Sequence, residues 1–175
     1  FPNLTLVGVI DADLGLQGSD LRSAERTFQL MRQVAGRAGR AEVAGAAMLQ
    51  TFQPEHPVIR AILAGDEESF WAAEAAERKA AGVPPYGRMA GIILSSTNAQ
   101  EVFDLGTDMA RRDGPLRKIG AQVFGPAPAP IARVRGRHRV RLLVKADKAA
   151  PLQQALAEWA GQFKLKGELR LAIDI

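Results

Sequence analysis

No cysteine occurs among the 175 residues, so disulfides and thiolate-held metal sites are excluded within this chain. The same absence does not decide a cellular compartment. Aromatic residues are scarce at 6%, with one tyrosine and two tryptophans, which argues against a surface built from many stacked rings. No apolar run reaches the roughly 20 residues needed to cross a bilayer, so no membrane association is expected. A signal-peptide pattern is also missing. What remains suits one or two globular domains with a sizeable core: 47% hydrophobic residues, 24% charged and a net charge of +4.

That charge is unevenly spread. Residues 1–110 carry 9 basic and 14 acidic side chains, residues 111–148 carry 11 and 2, and residues 149–175 carry 3 of each. Clustered cations favour a polyanion, because neighbouring phosphates are neutralised together and release their counterions together. Inside the basic segment Arg133, Arg135, Arg137, Arg139 and Arg141 alternate with Val134, Gly136, His138, Val140 and Leu142. Period two predicts strands, and Gly136 predicts a hairpin turn. If both arms keep the alternation, several arginines share one face while Val134, Val140 and Leu142 face the core. With no aromatic ring among them, backbone contact to nucleic acid is expected over base reading. An edge hairpin guarded from aggregation by its charges is the alternative.

Upstream, Leu21, Ala24, Phe28, Met31, Ala35 and Ala38 recur at helical spacing and predict one buried face, with the helix running from about Asp20 to Arg37 or beyond. Arg22, Arg26, Gln29, Gln33, Arg37 and Arg40 would then lie in a stripe roughly 80° wide on the opposite side. Gly36 and Gly39 each cost about 1 kcal/mol inside a helix, so they imply a helix end or a close backbone approach. Paired guanidiniums one turn apart suit a phosphate chain. A solvated basic helix face stopped by glycines fits the spacing equally well.

The string Gln33-Val-Ala-Gly36-Arg37-Ala-Gly39-Arg40 resembles the sixth motif of superfamily 2 helicases. Phe1 to Val7, Asp11-Ala-Asp13, Asp20 to Arg26, Pro54-Glu-His-Pro57, Pro84-Pro-Tyr-Gly-Arg88 and Gly125 to Pro130 extend the resemblance, in order and spacing, to the PriA family of replication-restart helicases. The resemblance implies an ATP-dependent 3′–5′ DNA helicase of the cytoplasm that recognises stalled forks and helps assemble the primosome. It implies Arg40 as arginine finger with Arg37 close behind, Gln33, Gly36 and Gly39 at the nucleotide, and ATP with magnesium as the intact protein's cofactors. Implied partners are fork-structured and single-stranded DNA, other primosome proteins and the acidic tail of single-stranded-DNA-binding protein, the last near Lys148 and Gln153. No phosphate-binding Gly-x-x-x-x-Gly-Lys-[Ser/Thr] loop and no Asp-Glu-x-His box is present, so this chain alone should not hydrolyse ATP. Beginning on Phe1, directly in a predicted strand, suits a piece of a longer protein, with the family's zinc-binding cysteines upstream.

The remaining pattern predicts an α/β protein of two units. Residues 1–82 read as strand, helix, strand (Leu4 to Asp11; Ala46 to Thr51) and then helices from Pro57 to Ala64 and Asp66 to Ala81, part of the second RecA-like lobe of a helicase. Residues 83–175 read as a βαββαβ, ferredoxin-like DNA-binding domain that resembles a ribosomal protein fold: strands at Met89 to Ser95, Gln122 to Phe124, Ile131 to Ala146 and Leu169 to Ile175, with helices at Ala99 to Arg112 and through Leu152, Leu156, Trp159 and Phe163. Gly125 to Pro130 reads as a stiff connector between strands, with partner docking as the alternative. Asp11 and Asp13 have no third ligand beside them, so no metal is expected there, and His56 reads as a surface or capping residue.

Overall fold

Six strands and six α-helices among the described residues are sorted by the fold into two units, residues 1–75 and 76–175. The computed structural model describes residues 4–17, 20–38 and 45–175. The chain is mixed α/β, as the patterning implies.

In the first unit, β1 (Leu6–Val9) pairs in parallel with β2 (Ala46–Leu49), Leu6 opposite Ala46 and Val9 opposite Leu49. Helix α1 (Ser23–Ala35) buries Thr27, Phe28 and Met31, one turn apart, and α2 (Pro57–Ala64) buries Val58 and Ile59. Pro57 starts α2 where its missing N–H costs nothing, His56 Nδ1 accepts from Val58 N at 3.3 Å, and Gly65 ends it at φ +67°. His56 is thus a helix cap. Met31 and Ile59 close on Ala12, while Phe28 stacks on Phe70 with ring centroids 4.0 Å apart.

Helix α1 is shorter at both ends than its periodicity implies. Asp20 accepts from Arg22 N and, through its carbonyl, from Ser23 N, which makes the residues before Ser23 a turn. Gly36 closes the other end, its N–H bonding Arg32 O, so Arg37 and Ala38 lie in turn structure beyond the helix. The stripe of six polar residues therefore does not continue through Arg37. Gly39 and Arg40 lie outside the described residues.

Helix α3 (Glu67–Ala81) crosses the division between units. In the second unit β3 (Gly87–Ser96), β4 (Gln122–Val134), β5 (Arg137–Asp147) and β6 (Arg170–Asp174) form one antiparallel sheet in the order β4-β5-β3-β6. Ala90, Ile92 and Leu94 on β3 and Val140, Leu142 and Val144 on β5 point to one side, where α4 (Ala99–Arg111), α5 (Gly114–Lys118) and α6 (Leu152–Ala160) cover them with Val102, Met109, Leu116, Leu156 and Trp159. Asn98 caps α4 by accepting from Gln100 N and Glu101 N.

Three features depart from the sequence reading. The segment Gly125 to Pro130 is no separate connector: it lies within β4, an edge strand, where proline is tolerated, with register shifts between Phe124 and Ala127 and between Pro128 and Arg133. The five-residue α5 had no period long enough to be legible. Phe163 falls beyond the end of α6, yet packs on the core edge-on to Trp159. Among the described residues no helix is long and apolar enough to cross a membrane.

Candidate functional site

Two places gather the side chains singled out by sequence. In the first unit, Phe28, Gln29, Arg32 and Gln33 from α1 and Glu67 from α3 line a cleft of about 400 Å³. Arg32 pairs with Glu67, and its guanidinium lies 6.0 Å from the Phe28 ring centroid. Arg22 and Arg26 are also engaged, with Glu25 and Asp20 at 2.6 Å each. Gln33 and Arg37 are exposed, and the Arg37 side chain makes no hydrogen bond or ion pair among the described residues. Among the described residues the arginines thus divide into internal pairs and Arg37, whose donor fork has no partner there. Arg32 was missed by sequence reading, because its partner lies 35 positions away on another helix.

Nearby in the same unit, the carboxylate of Asp13, 2% exposed, accepts from Thr51 Oγ1 at 2.5 Å and Phe52 N at 2.7 Å. Those bonds, the Thr51 hydroxyl first, hold its pKa below the ordinary value of 3.8. Asp13 thereby ties the 3₁₀ turn at Ala12–Gly15 to the end of β2, as an orienter of backbone. With the folded pKa below the unfolded one, its contribution is in place above the ordinary value and is lost as pH falls through the folded value. Asp13→Asn presents an amide where two donors need an acceptor. The variant should be less stable at about pH 7, and its stability should fall less steeply towards about pH 3 than the wild type's. Hydrogen exchange of the β1 amides against pH measures both.

The second place is the β4–β5 hairpin. Val134 pairs with Arg137 across a two-residue turn in which Arg135 and Gly136 have φ +48° and +78°, the signature of a type I′ turn. A two-residue loop changes which parity faces the core. Val134 shares the side of Arg137, away from Val140 and Leu142, and is 38% exposed, so it does not face the core. Arg133 pairs with His138 and lies on the opposite side from Arg137, Arg139 and Arg141. The five arginines are therefore not one ribbon.

Their bonding separates them further. Arg137 donates to Ser95 O at 3.0 Å and to both the carboxylate (2.9 Å) and the carbonyl of Glu168, binding β5 to the end of β3 and to the segment before β6. Arg139 reaches Ile131 O at 3.4 Å, and Lys145 donates to Ala81 O at 3.1 Å. Arg141 too has an interaction of its own. Arg133 and Arg135 are exposed and make no side-chain hydrogen bond or ion pair among the described residues. Arg137 is thus a clamp of the sheet. Arg137→Ala should cost the second unit about 1–2 kcal/mol, whereas Arg133→Ala should cost less than about 0.5 kcal/mol. Urea unfolding of the two variants compares them.

Lys148 and Gln153 are both exposed, in the turn after β5 and on α6, and the Lys148 carbonyl accepts from Arg88 Nε at 2.8 Å. No group of three or more metal-ligating side chains occurs among the described residues.

Two units, one with a parallel strand pair and a cleft lined by Arg32 and Gln33, the other an antiparallel sheet with an arginine-rich hairpin, make up a mixed α/β protein. The family model of the primosomal protein N C-terminal domain matches residues 79–175. The chain belongs to that family. It is 43% identical over its whole length to the replication restart protein PriA of Rickettsia felis, covering 26% of that protein. It is similarly 36% identical to the protein of that name from Treponema pallidum, covering 27% of it, and 35% identical over 178 residues to that from Bacillus subtilis, covering 22%. The chain therefore spans about a quarter of the length of these relatives.

Proposed function

We propose that this chain is the nucleotide-sensing and DNA-gripping part of a cytoplasmic, ATP-dependent 3′–5′ DNA helicase that restarts replication at stalled forks. The observation that carries the reading is the end of α1: exposed Gln33 lines the cleft, and Arg37, four residues on, is exposed with no side-chain partner among the described residues, while Arg22, Arg26 and Arg32 are paired within the unit. The names and identities of the relatives support it.

In this reading the first unit is part of the second RecA-like lobe, and Gln33, Gly36, Arg37, Gly39 and Arg40 would meet the nucleotide, with the chain turning out of α1 at Gly36. ATP would supply the phosphoanhydride that is cut and magnesium would neutralise its phosphate oxygens, both held by groups this chain does not contain. The guanidiniums of Arg37 and Arg40 donate to phosphate oxygens as negative charge shifts onto them, and an arginine does this without any change of protonation. An exposed guanidinium at Arg37 with no partner among the described residues fits that role; a paired one would have to leave its partner first.

The second unit, with strand order β4-β5-β3-β6 and βαββαβ connection, reads as a ferredoxin-like DNA-binding domain. Its basic hairpin would contact fork-structured and single-stranded DNA. Lys148 and Gln153 would lie near the tail of single-stranded-DNA-binding protein, and other primosome proteins would bind elsewhere. Charge reversal in a longer polypeptide that hydrolyses ATP tests the reading. Arg37→Glu or Arg40→Glu should abolish turnover with DNA affinity nearly unchanged; a drop in affinity with turnover intact would make the octapeptide a DNA contact instead.

A further inference from the structure

We infer that the tip of the β4–β5 hairpin, residues Ile131 to Gly136, is a wedge that binds DNA where base pairs are interrupted, its two unpaired arginines on phosphates and its two exposed aliphatic side chains against unstacked bases. The inference rests on the reading of the second unit as DNA-binding and adds where on it, and to what feature of DNA, contact is made.

Four observations converge on the tip. Arg133 and Arg135 are the hairpin arginines without an internal partner among the described residues, so their donors are open to phosphate. Ile131 is 62% exposed and Val134 38% exposed within four residues of each other, flanked by those arginines. Single exposed aliphatics are common, but here two lie within the last four residues of β4, beside two arginines without a side-chain partner among the described residues. Arg135 holds φ +48°, a region a non-glycine side chain enters at a cost, and at the first central position of a type I′ turn asparagine, aspartate or glycine would sit with less strain. A strained arginine at the apex is a reason to look for what it touches.

The base of the hairpin is the fourth. Arg137 is bound to Ser95 and Glu168, and Arg139 to Ile131 O, so the tip is presented on a clamped stem. Edge protection does not account for the tip. Pro126, Pro128 and Pro130 and two register shifts already block pairing along β4, and exposed Ile131 and Val134 would undo a purely defensive design. Apolar side chains that insert beside a base step, with cations on the flanking phosphates, are a recognised way to bind DNA whose stacking is broken.

The probe is a fluorescein-labelled fork, a duplex with two single-stranded arms and 2-aminopurine at the last base pair, with an unbranched duplex of the same sequence as control. The full 175-residue chain should bind the fork more tightly than the duplex and raise 2-aminopurine emission. Ile131→Ser with Val134→Ser should lower fork affinity about tenfold, leave duplex affinity within about twofold and abolish the emission change. Arg133→Gln with Arg135→Asn should weaken both DNAs and reduce the slope of log affinity against log salt by about 2. Arg135→Asn should also unfold at the same or a higher temperature, which separates lost contact from lost fold.

A serine variant that keeps fork preference and emission overturns the wedge, and an unchanged salt slope overturns the phosphate contacts. In both cases DNA binding by the second unit still stands. A wild-type chain that binds neither DNA at low salt overturns the wedge together with that reading.

Discussion

Replacing Arg40 with alanine, in a longer polypeptide that hydrolyses ATP, is expected to lower DNA-stimulated turnover about 10³-fold while DNA affinity stays within about twofold. Arg37→Ala should follow closely. A guanidinium that meets charge only as the phosphoryl group moves raises turnover without tightening ground-state binding, so its loss appears in kcat more than in KM. Lysine at either position should recover little, because a point charge lacks the planar fork that spans two oxygens. The contrast with an arginine inside α1 sharpens the expectation. Arg26→Ala removes an exposed pair with Asp20 and should leave turnover nearly intact, worth at most about 1 kcal/mol of stability. If Arg26→Ala were as damaging as Arg37→Ala, the octapeptide would be acting through the fold of α1.

The second large effect belongs to the core of the sheet unit. Trp159 is fully buried among α4, α6 and the sheet, and its indole N–H donates to Met109 O at 3.1 Å across 50 residues of sequence. Trp159→Ala should cost about 3–5 kcal/mol, a large share of the roughly 5–15 kcal/mol of a domain this size. Trp159→Phe keeps much of the buried area and forfeits the hydrogen bond, leaving a carbonyl near the end of α4 short of a partner. That variant should cost about 1–3 kcal/mol. The difference between the two assigns the larger share to packing. Hydrogen exchange of β3 and β5 amides measures it for this unit alone, and equal losses in both variants would give the indole N–H the leading part.

The strands and helices of both units were largely legible because each buries one face and so keeps one period: Ala90, Ile92 and Leu94 alternate, and Phe28 and Met31 recur at a helical step. Asn98, Pro57 and Gly65 sit at helix ends as their chemistry requires, and of these only Pro57 entered the sequence reading. The parity of the hairpin was misread for a specific reason. Alternation was carried straight through Gly136, but a turn with two central residues pairs Val134 with Arg137, which puts even numbers on one arm beside odd numbers on the other. One residue of loop length decides the face of every side chain in an arm.

The candidate sites were legible as composition and illegible as bonding. Five alternating arginines look alike in sequence, yet the anchor of Arg137 is Glu168, 31 positions away, and no local pattern links them. Arg32 and Glu67 are the same case in the first unit. Long-range ion pairs of this kind depend on how helices pack, which residue spacing within one element does not encode. The end of α1 at Gly36 was foreshadowed by the cost of glycine in a helix, although the polar stripe argued for continuation.

The most direct test sets the two units against each other on the same samples of a longer polypeptide: DNA-stimulated ATP turnover and fork affinity, for Arg40→Ala and for Arg133→Gln with Arg135→Asn. Nucleotide sensing in the first unit and DNA contact in the second predict a double dissociation. Arg40→Ala should lose turnover and keep affinity, and the hairpin variant should lose affinity and recover turnover at saturating DNA. Loss of both quantities in either variant would contradict the division of labour proposed between the two units.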